Sequence, residues 1–175
     1  MELVRATIST PIGDLLALSS ESGLCALEFL GPRKRMTRLD RRLGKWFPPH
    51  EVADGRSEPI DRARAWLKDY FKGVWPDVEV PLDMRGAPFE RRVWKALLKI
   101  PAGETTSYGA IAKALGSAGA SRAVGLANGS NPVSIIVPCH RVIGSTGALT
   151  GYGGGLHRKT WLIDHERRWR GDQLF

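Results

Sequence analysis

A chain of 175 residues, 42% hydrophobic and 25% charged, can build one domain of ordinary core size or two small ones, which excludes a disordered tail and a miniprotein. Its two cysteines, Cys25 and Cys139, stand far apart without CxxC spacing, so neither a disulfide framework nor a cysteine-rich zinc site is indicated and a reducing cytoplasm is the expected location. The net charge of +8 is lopsided: residues 1–84 hold 13 Lys and Arg against 13 Asp and Glu, whereas residues 85–175 hold 13 against 5, so the second half is suited to a polyanion, nucleic acid ahead of a membrane surface. Met1 to Arg5 shows no signal-peptide pattern, and no window approaches the roughly 18 apolar residues of a membrane span.

Leu3–Thr10, Asp14–Ser19 and Leu24–Phe29 are short runs separated by Pro11-Ile12-Gly13 and Ser20-Glu21-Ser22-Gly23, a pattern that predicts an antiparallel meander. From Arg33 to Lys45, Met36, Leu39 and Leu43 recur at helical spacing among seven cations, which reads as the exposed face of a surface helix rather than a binding site. A stretch rich in Gly, Pro, Asp and Glu follows from Phe47 to Pro59. Ala63, Trp66, Leu67 and Tyr70 mark a helix from about Asp61 to Lys72, ended by Gly73 and Pro76, and Val78–Leu82 is either one more strand or a linker.

The second half reads as mostly helical. Phe89, Val93, Ala96 and Leu97 form a stripe over Pro88–Ile100, with Pro88 in the first turn and Pro101 as the stop. Ser107 caps a helix carrying Tyr108, Ile111, Ala112 and Leu115 and closed by Gly116, and a further helix spans Ala120–Asn128. Two short helices joined by a glycine-containing turn form a helix-turn-helix pattern, although packing alone can produce it. The second helix is poor in base-reading side chains. Ala120, Ala123, Gly125 and Ala127 permit close approach of a backbone, and Arg122 is its one charge.

Val133–Val137 reads as a buried strand stopped at Pro138, which places Cys139 in a defined turn beside His140 and Arg141, a base and a fixed cation. Most lone cysteines are small core hydrophobes. A positive neighbourhood instead raises the thiolate fraction, which argues for a nucleophile. Glu166 falls four residues after Leu162 and three before Trp169, on the apolar stripe of a last helix, with a surface ion pair beside Arg167 and Arg168 as the competing reading.

Ile136-Val137-Pro138-Cys139-His140-Arg141-Val142-Ile143 resembles the signature of the O6-alkylguanine-DNA alkyltransferases, also called methylated-DNA-protein-cysteine methyltransferases. Ser107-Tyr108, Ser121-Arg122-Ala123-Val124-Gly125, Asn131-Pro132-Val133, Gly151-Tyr152-Gly153-Gly154-Gly155 and Trp161-Leu162 with Glu166 match in order, covering about residues 88 to 166. The resemblance implies an α/β (α+β) fold. A small ribonuclease-H-like sheet domain over residues 1–84 would precede a mostly helical, winged-helix-like domain with a helix-turn-helix over residues 85–175.

The implied activity is stoichiometric, irreversible transfer of an alkyl group from O6-alkylguanine in double-stranded DNA to the protein, with O4-alkylthymine as a further candidate lesion. Cys139 would be the acceptor, His140 its base through a water, Glu166 the residue orienting the histidine, and Tyr108 a donor to the guanine ring. Arg122 would fill the space left by a flipped base, flanked at the DNA by Ser121, Ala123, Ala127 and Asn128. Asn131 would tie the helix-turn-helix to the active-site loop, and Val142, Tyr152, Gly153 and Gly154 would line the pocket. Gly153 replaces a serine of some members and Asn128 a large apolar residue of others. No cofactor is implied and no metal site, since Cys25 and His50 stand alone. A monomer in solution is expected, with cooperative assembly on DNA left open. The competing readings are a non-enzymatic damage-binding or regulatory helix-turn-helix protein, which would need no reactive thiol, and a thiol hydrolase, which would need an oxyanion hole.

Overall fold

The computed structural model describes residues 1–169 and divides into two compact units between Gly86 and Ala87. In the first, β1 (Glu2–Thr10), β2 (Gly13–Ser20), β3 (Gly23–Phe29) and β4 (Glu51–Asp54) form one sheet in the order β3-β2-β1-β4. The meander is antiparallel, with Thr10 opposite Gly13 at the first turn and Ser20 opposite Gly23 at the second. β4 lies in the Gly-, Pro- and acid-rich stretch 47–59, for which the sequence indicates no element, and runs parallel to β1 from Glu2↔Glu51 to Arg5↔Asp54. With Val52 its one half-buried apolar residue, this strand is specified by backbone pairing along the β1 edge, not by its side chains.

Helices α1 (Arg33–Trp46) and α2 (Glu58–Lys72) complete the unit. Leu39 and Leu43 of α1 join Leu3, Leu18, Cys25 and Phe47 in one buried cluster. α2 begins at Glu58, ahead of the expected Asp61, because the Ser57 hydroxyl accepts the Ile60 N–H at 3.3 Å and Pro59 suits the first turn. Gly73 ends α2 at φ 80°, a left-handed conformation that costs other residues a Cβ clash. Val78–Leu82 behaves as a linker, touching the sheet through the single bridge Leu24↔Leu82.

The second unit contains α3 (Pro88–Leu97), β5 (Thr106–Ser107), α4 (Tyr108–Ala114), α5 (Ser121–Gly129), β6 (Val142–Ile143) and α6 (Leu156–Trp169). The predicted capping by Ser107 is present, its hydroxyl accepting the Ala110 N–H at 3.0 Å. α4 and α5 pack as a helix pair whose connection includes Gly116 and Gly119, both at positive φ. Trp94 of α3 is 2% exposed and its indole N–H donates to the Ala127 carbonyl at 2.9 Å, tying α5 to α3. β5 and β6 pair in parallel, Thr106 opposite Val142, which brings the start of the helix pair beside the segment that follows Cys139. The mixed sheet-and-helix architecture matches the fold class expected from sequence. Among the described residues no helix is long and apolar enough to cross a membrane.

Candidate active site

The expected strand Val133–Val137 does not form. These residues coil as a turn, with the Val137 N–H donating to the Val133 carbonyl at 3.2 Å and Ile135 at φ 70°. An apolar run identifies burial but not extension. What selects the turn is the Asn131 side chain: its Nδ2 donates to the carbonyls of Val133 (3.2 Å) and Val137 (2.9 Å), while its Oδ1 accepts the Val133 N–H at 3.0 Å. A β-branched residue at positive φ stores about 1–3 kcal/mol of strain, sustained here by those bonds and by full burial of Ile135.

The turn delivers Cys139 into a short 3-10 segment, Cys139–Arg141. Its backbone is fixed on both sides, by the Cys139 N–H to the Val137 carbonyl at 2.8 Å and by Asn128 Nδ2 to the Cys139 carbonyl at 3.3 Å. Asn128, on α5, thus links the helix pair to the Cys139 turn, alongside the bonds by which Asn131, two residues past α5, holds the segment before it. The other thiol, Cys25, lies 3% exposed in the first unit, where burial, with Asp83 adding, pushes it up to about 12. It stays protonated and unreactive at neutral pH.

His140 and Glu166 are fully buried and meet at 2.6 Å, Nε2 to Oε2. Arg141 grips the same carboxylate with two N–H donors, Nε to Oε1 at 2.7 Å and Nη2 to Oε2 at 3.0 Å, and gives Nη1 to the Ile100 carbonyl at 2.6 Å. Burial alone would push Glu166 up, but its histidine and arginine partners outweigh this and hold it ionised, far below the usual carboxylate range. Burial lowers His140 despite Glu166, so the imidazole is neutral at pH 7 and the charge facing the carboxylate belongs to Arg141. Neutral His140 then donates from Nε2 to Glu166, leaving Nδ1 as an acceptor that has no hydrogen-bond partner among the described residues. Arg141 thus commits its guanidinium to Glu166 and the Ile100 carbonyl, and the Glu166 carboxylate balances its charge.

A cation electrostatically coupled to Cys139 is Lys159 of α6, which sequence reasoning missed. It is fully buried, donates to the Val142 carbonyl at 2.6 Å and the Thr150 carbonyl at 2.7 Å, and is lowered by burial. Its position three, four and seven residues before Leu162, Ile163 and Glu166 places it on the inward stripe of α6, the signal that could have revealed it. Thr150 also meets Tyr108, whose hydroxyl lies 3.1 Å from Thr150 Oγ1. Val142 and Gly154 are buried in this neighbourhood, Tyr152 is half-buried and Gly153 exposed. On α5, Ser121, Arg122 and Ala123 face solvent together with Leu126, 73% exposed. Ala127 and Asn128 do not: at 3% and 4% exposure they face the interior, where packing on Trp94 and the bond to the Cys139 turn hold them, and this removes them from the expected DNA-facing set. Among the described residues no group of three or more His, Cys, Asp or Glu could hold a metal ion.

Residues 88–168 match the DNA binding domain of 6-O-methylguanine DNA methyltransferase, and residues 3–84 match the ribonuclease-like domain of the same family. A methylated-DNA--protein-cysteine methyltransferase of Mycobacterium bovis is 48% identical over 161 residues, 92% of this chain and 90% of that protein. The chain belongs to the 6-O-methylguanine DNA methyltransferase family. A second family relative, from Shigella flexneri, is 43% identical over 95% of this chain and 96% of its own length. The crystal structure of the Mycobacterium tuberculosis O6-methylguanine methyltransferase superposes with a TM-score of 0.79 at 45% identity, covering 95% of this chain and 93% of that one. A structure of the tuberculosis protein in complex with DNA gives 0.78 at 44% identity, covering 97% and 94%.

The buried histidine gives this family site a pH dependence. Because the folded-state value of His140 lies below its ordinary 6.5, the unfolded chain binds the extra proton first. Stability is complete above about pH 6.5 and falls as the pH is lowered through 6.5 toward the depressed folded value. Urea denaturation at a series of pH values should show that decline, and His140→Gln should flatten it between pH 7 and 5.

Proposed function

We propose that this chain repairs DNA by direct reversal, taking an alkyl group from the O6 oxygen of guanine in duplex DNA onto Cys139, once per molecule. The observation that carries the reading is the neutral His140, its Nε2–H fixed on the Arg141-held Glu166 and its Nδ1 lone pair unused beside the cysteine turn. Nδ1 takes the Cys139 proton through a bridging water, for which the buried acceptors His140 Nδ1 and Asn128 Oδ1 provide a polar setting. The thiolate forms beside the Lys159 ammonium. It attacks the alkyl carbon in line, the sulfur–carbon bond forms as the carbon–oxygen bond breaks, and the electron pair of that bond passes to the guanine. Tyr108 donates a proton to the ring as that charge develops. The product thioether has no leaving group that water can displace readily, so the protein is consumed.

The reacting atom is inaccessible in a stacked duplex, so the base is extruded at a cost of a few kcal/mol. Arg122, exposed on α5 between Ser121 and Ala123, fills the vacated stack, and the small side chains around it let the helix backbone approach the duplex. Val142, Tyr152, Gly153 and Gly154 shape the pocket. Residues 85–175 carry acceptor and DNA contacts, residues 1–84 form the ribonuclease-H-like domain, and the protein works as a cytoplasmic monomer. A regulator that only bound damage would need no reactive thiol.

Arg122→Ala should slow transfer from O6-methylguanine in duplex DNA by about 10- to 100-fold, part of the cost of extrusion, while leaving the reaction with free alkylated guanine unchanged. Single-turnover rates on the two substrates check this, and an equal loss on both would remove Arg122 from the flipping role.

A further inference from the structure

α1 breaks the charge rules that its own unit otherwise obeys. α2 starts with a Ser57 cap and with Glu58 and Asp61 in its first turn, ends with Lys72, and pairs Glu58 with Arg62 at 3.0 Å. α1 starts after Pro32 with no side-chain cap, puts Arg33-Lys34-Arg35 at its positive end, and has no acid in its first turn. Cations there oppose the helix dipole, and like charges three and four residues apart repel.

Beyond Arg33, position along the helix sorts the other six cations into two groups. Arg35 and Arg42 are pinned to their own unit, donating to the Phe29 carbonyl at 3.3 Å and the Arg85 carbonyl at 2.9 Å. Lys34, Arg38, Arg41 and Lys45 are exposed and recur at i, i+4, i+7 and i+11, one straight stripe on the side opposite the buried Leu39 and Leu43. The stripe spans about 16 Å, the axial rise of several phosphates of a duplex strand. Asp40, the one acid of α1, is turned away from it by helical spacing.

The rest of residues 1–84 sharpens the contrast. Outside α1 they hold 6 cations against 12 acids, whereas α1 holds seven cations against one acid. Outside α1 these residues are therefore net acidic, so within residues 1–84 a polyanion is drawn to this stripe.

We propose that the exposed face of α1 is a second phosphate-binding surface for duplex DNA, outside the helix pair, using Lys34, Arg38, Arg41 and Lys45; this rests on the reading of DNA as the partner. The stripe contacts backbone charge without reading sequence, so it adds affinity for damaged and undamaged duplex alike.

The test uses the full chain and a variant carrying Lys34→Gln, Arg38→Gln, Arg41→Gln and Lys45→Gln, glutamine being a good helix former. Binding to an undamaged duplex is measured across a salt series. Each phosphate contact contributes about 0.9 to the slope of log affinity against log salt, so the variant's slope should be shallower by three to four. Its deficit against wild type should shrink about 100-fold between roughly 50 and 200 mM salt. Lys34→Arg with Lys45→Arg should keep the wild-type slope, and helicity by circular dichroism should match in all three proteins. Equal slopes and affinities for wild type and the glutamine variant overturn the proposal, and equal slopes with charge-dependent binding to anionic phospholipid vesicles would reassign the stripe to a membrane surface. Alkyl transfer from free O6-alkylguanine, measured in parallel, depends on Cys139 and not on the stripe, so its loss in wild type would count against the acceptor reading alone.

Discussion

Cys139→Ala should abolish alkyl transfer entirely while leaving affinity for duplex DNA unchanged. The side chain removed is 7% exposed and lies in the turn between Asn131 and Arg141, away from the solvent-facing Ser121, Arg122 and Ala123 that meet the duplex in our reading. Truncation costs a small buried sulfur, about 1 kcal/mol, and the turn itself survives because Asn131 and Asn128 hold it through backbone atoms. The counterpart Cys25→Ala should cost similar stability in the first unit and keep transfer intact, since that thiol is held protonated by burial. Binding by fluorescence anisotropy and transfer from a labelled lesion duplex separate the two variants. Residual transfer in Cys139→Ala would mean that another nucleophile accepts the alkyl group.

Arg141→Ala should be the most damaging single substitution to stability, at about 3–5 kcal/mol. The guanidinium satisfies both Glu166 oxygens and the Ile100 carbonyl from a site 4% exposed. Its loss strands a buried carboxylate against a neutral imidazole. The carboxylate would then recover a counter-charge by protonating His140, which removes the acceptor needed at Nδ1. Transfer should therefore fall along with stability, and more steeply at low pH. Since a domain has about 5–15 kcal/mol in all, a large part of the stability is at stake. Arg141→Lys keeps a charge but loses the two-pronged grip and should lie between. Urea denaturation of the full chain measures all three proteins; a loss below about 1 kcal/mol would show that the pairing is not needed to hold Glu166 in place.

The parts of the fold readable from sequence were those written in side-chain periodicity and turn chemistry. β1 to β3 are short runs separated by Pro11-Ile12-Gly13 and Gly23, and α2 through α5 carry apolar stripes with Ser, Pro or Gly at their ends. β4 was illegible because Glu51-Val52-Ala53-Asp54 pairs through its backbone against an edge, leaving almost no side-chain pattern. The segment before Cys139 was misread for a related reason: Val133, Ile135 and Val137 are all buried, as a strand would require, but Asn131 bends them through bonds that periodicity does not encode.

The site was half legible. Cys139, His140 and Glu166 were visible as residue types and helix positions, but charge assignment needed coordinates. Arg141 turned out to serve the carboxylate, Lys159 to be a cation coupled to the thiol, and Asn128 to link helix pair and turn. A buried lysine twenty residues beyond the cysteine leaves no local signature except its place on an inward stripe.

Intact-protein mass spectrometry with peptide mapping, after incubation with a molar excess of duplex DNA containing O6-methylguanine, shows whether Cys139 accepts the methyl group. One added methyl per chain is expected, located on Cys139, with no second equivalent at longer times. A protein that binds the lesion yet stays unmodified with Cys139 reduced, or a methyl found on any other residue, would contradict it.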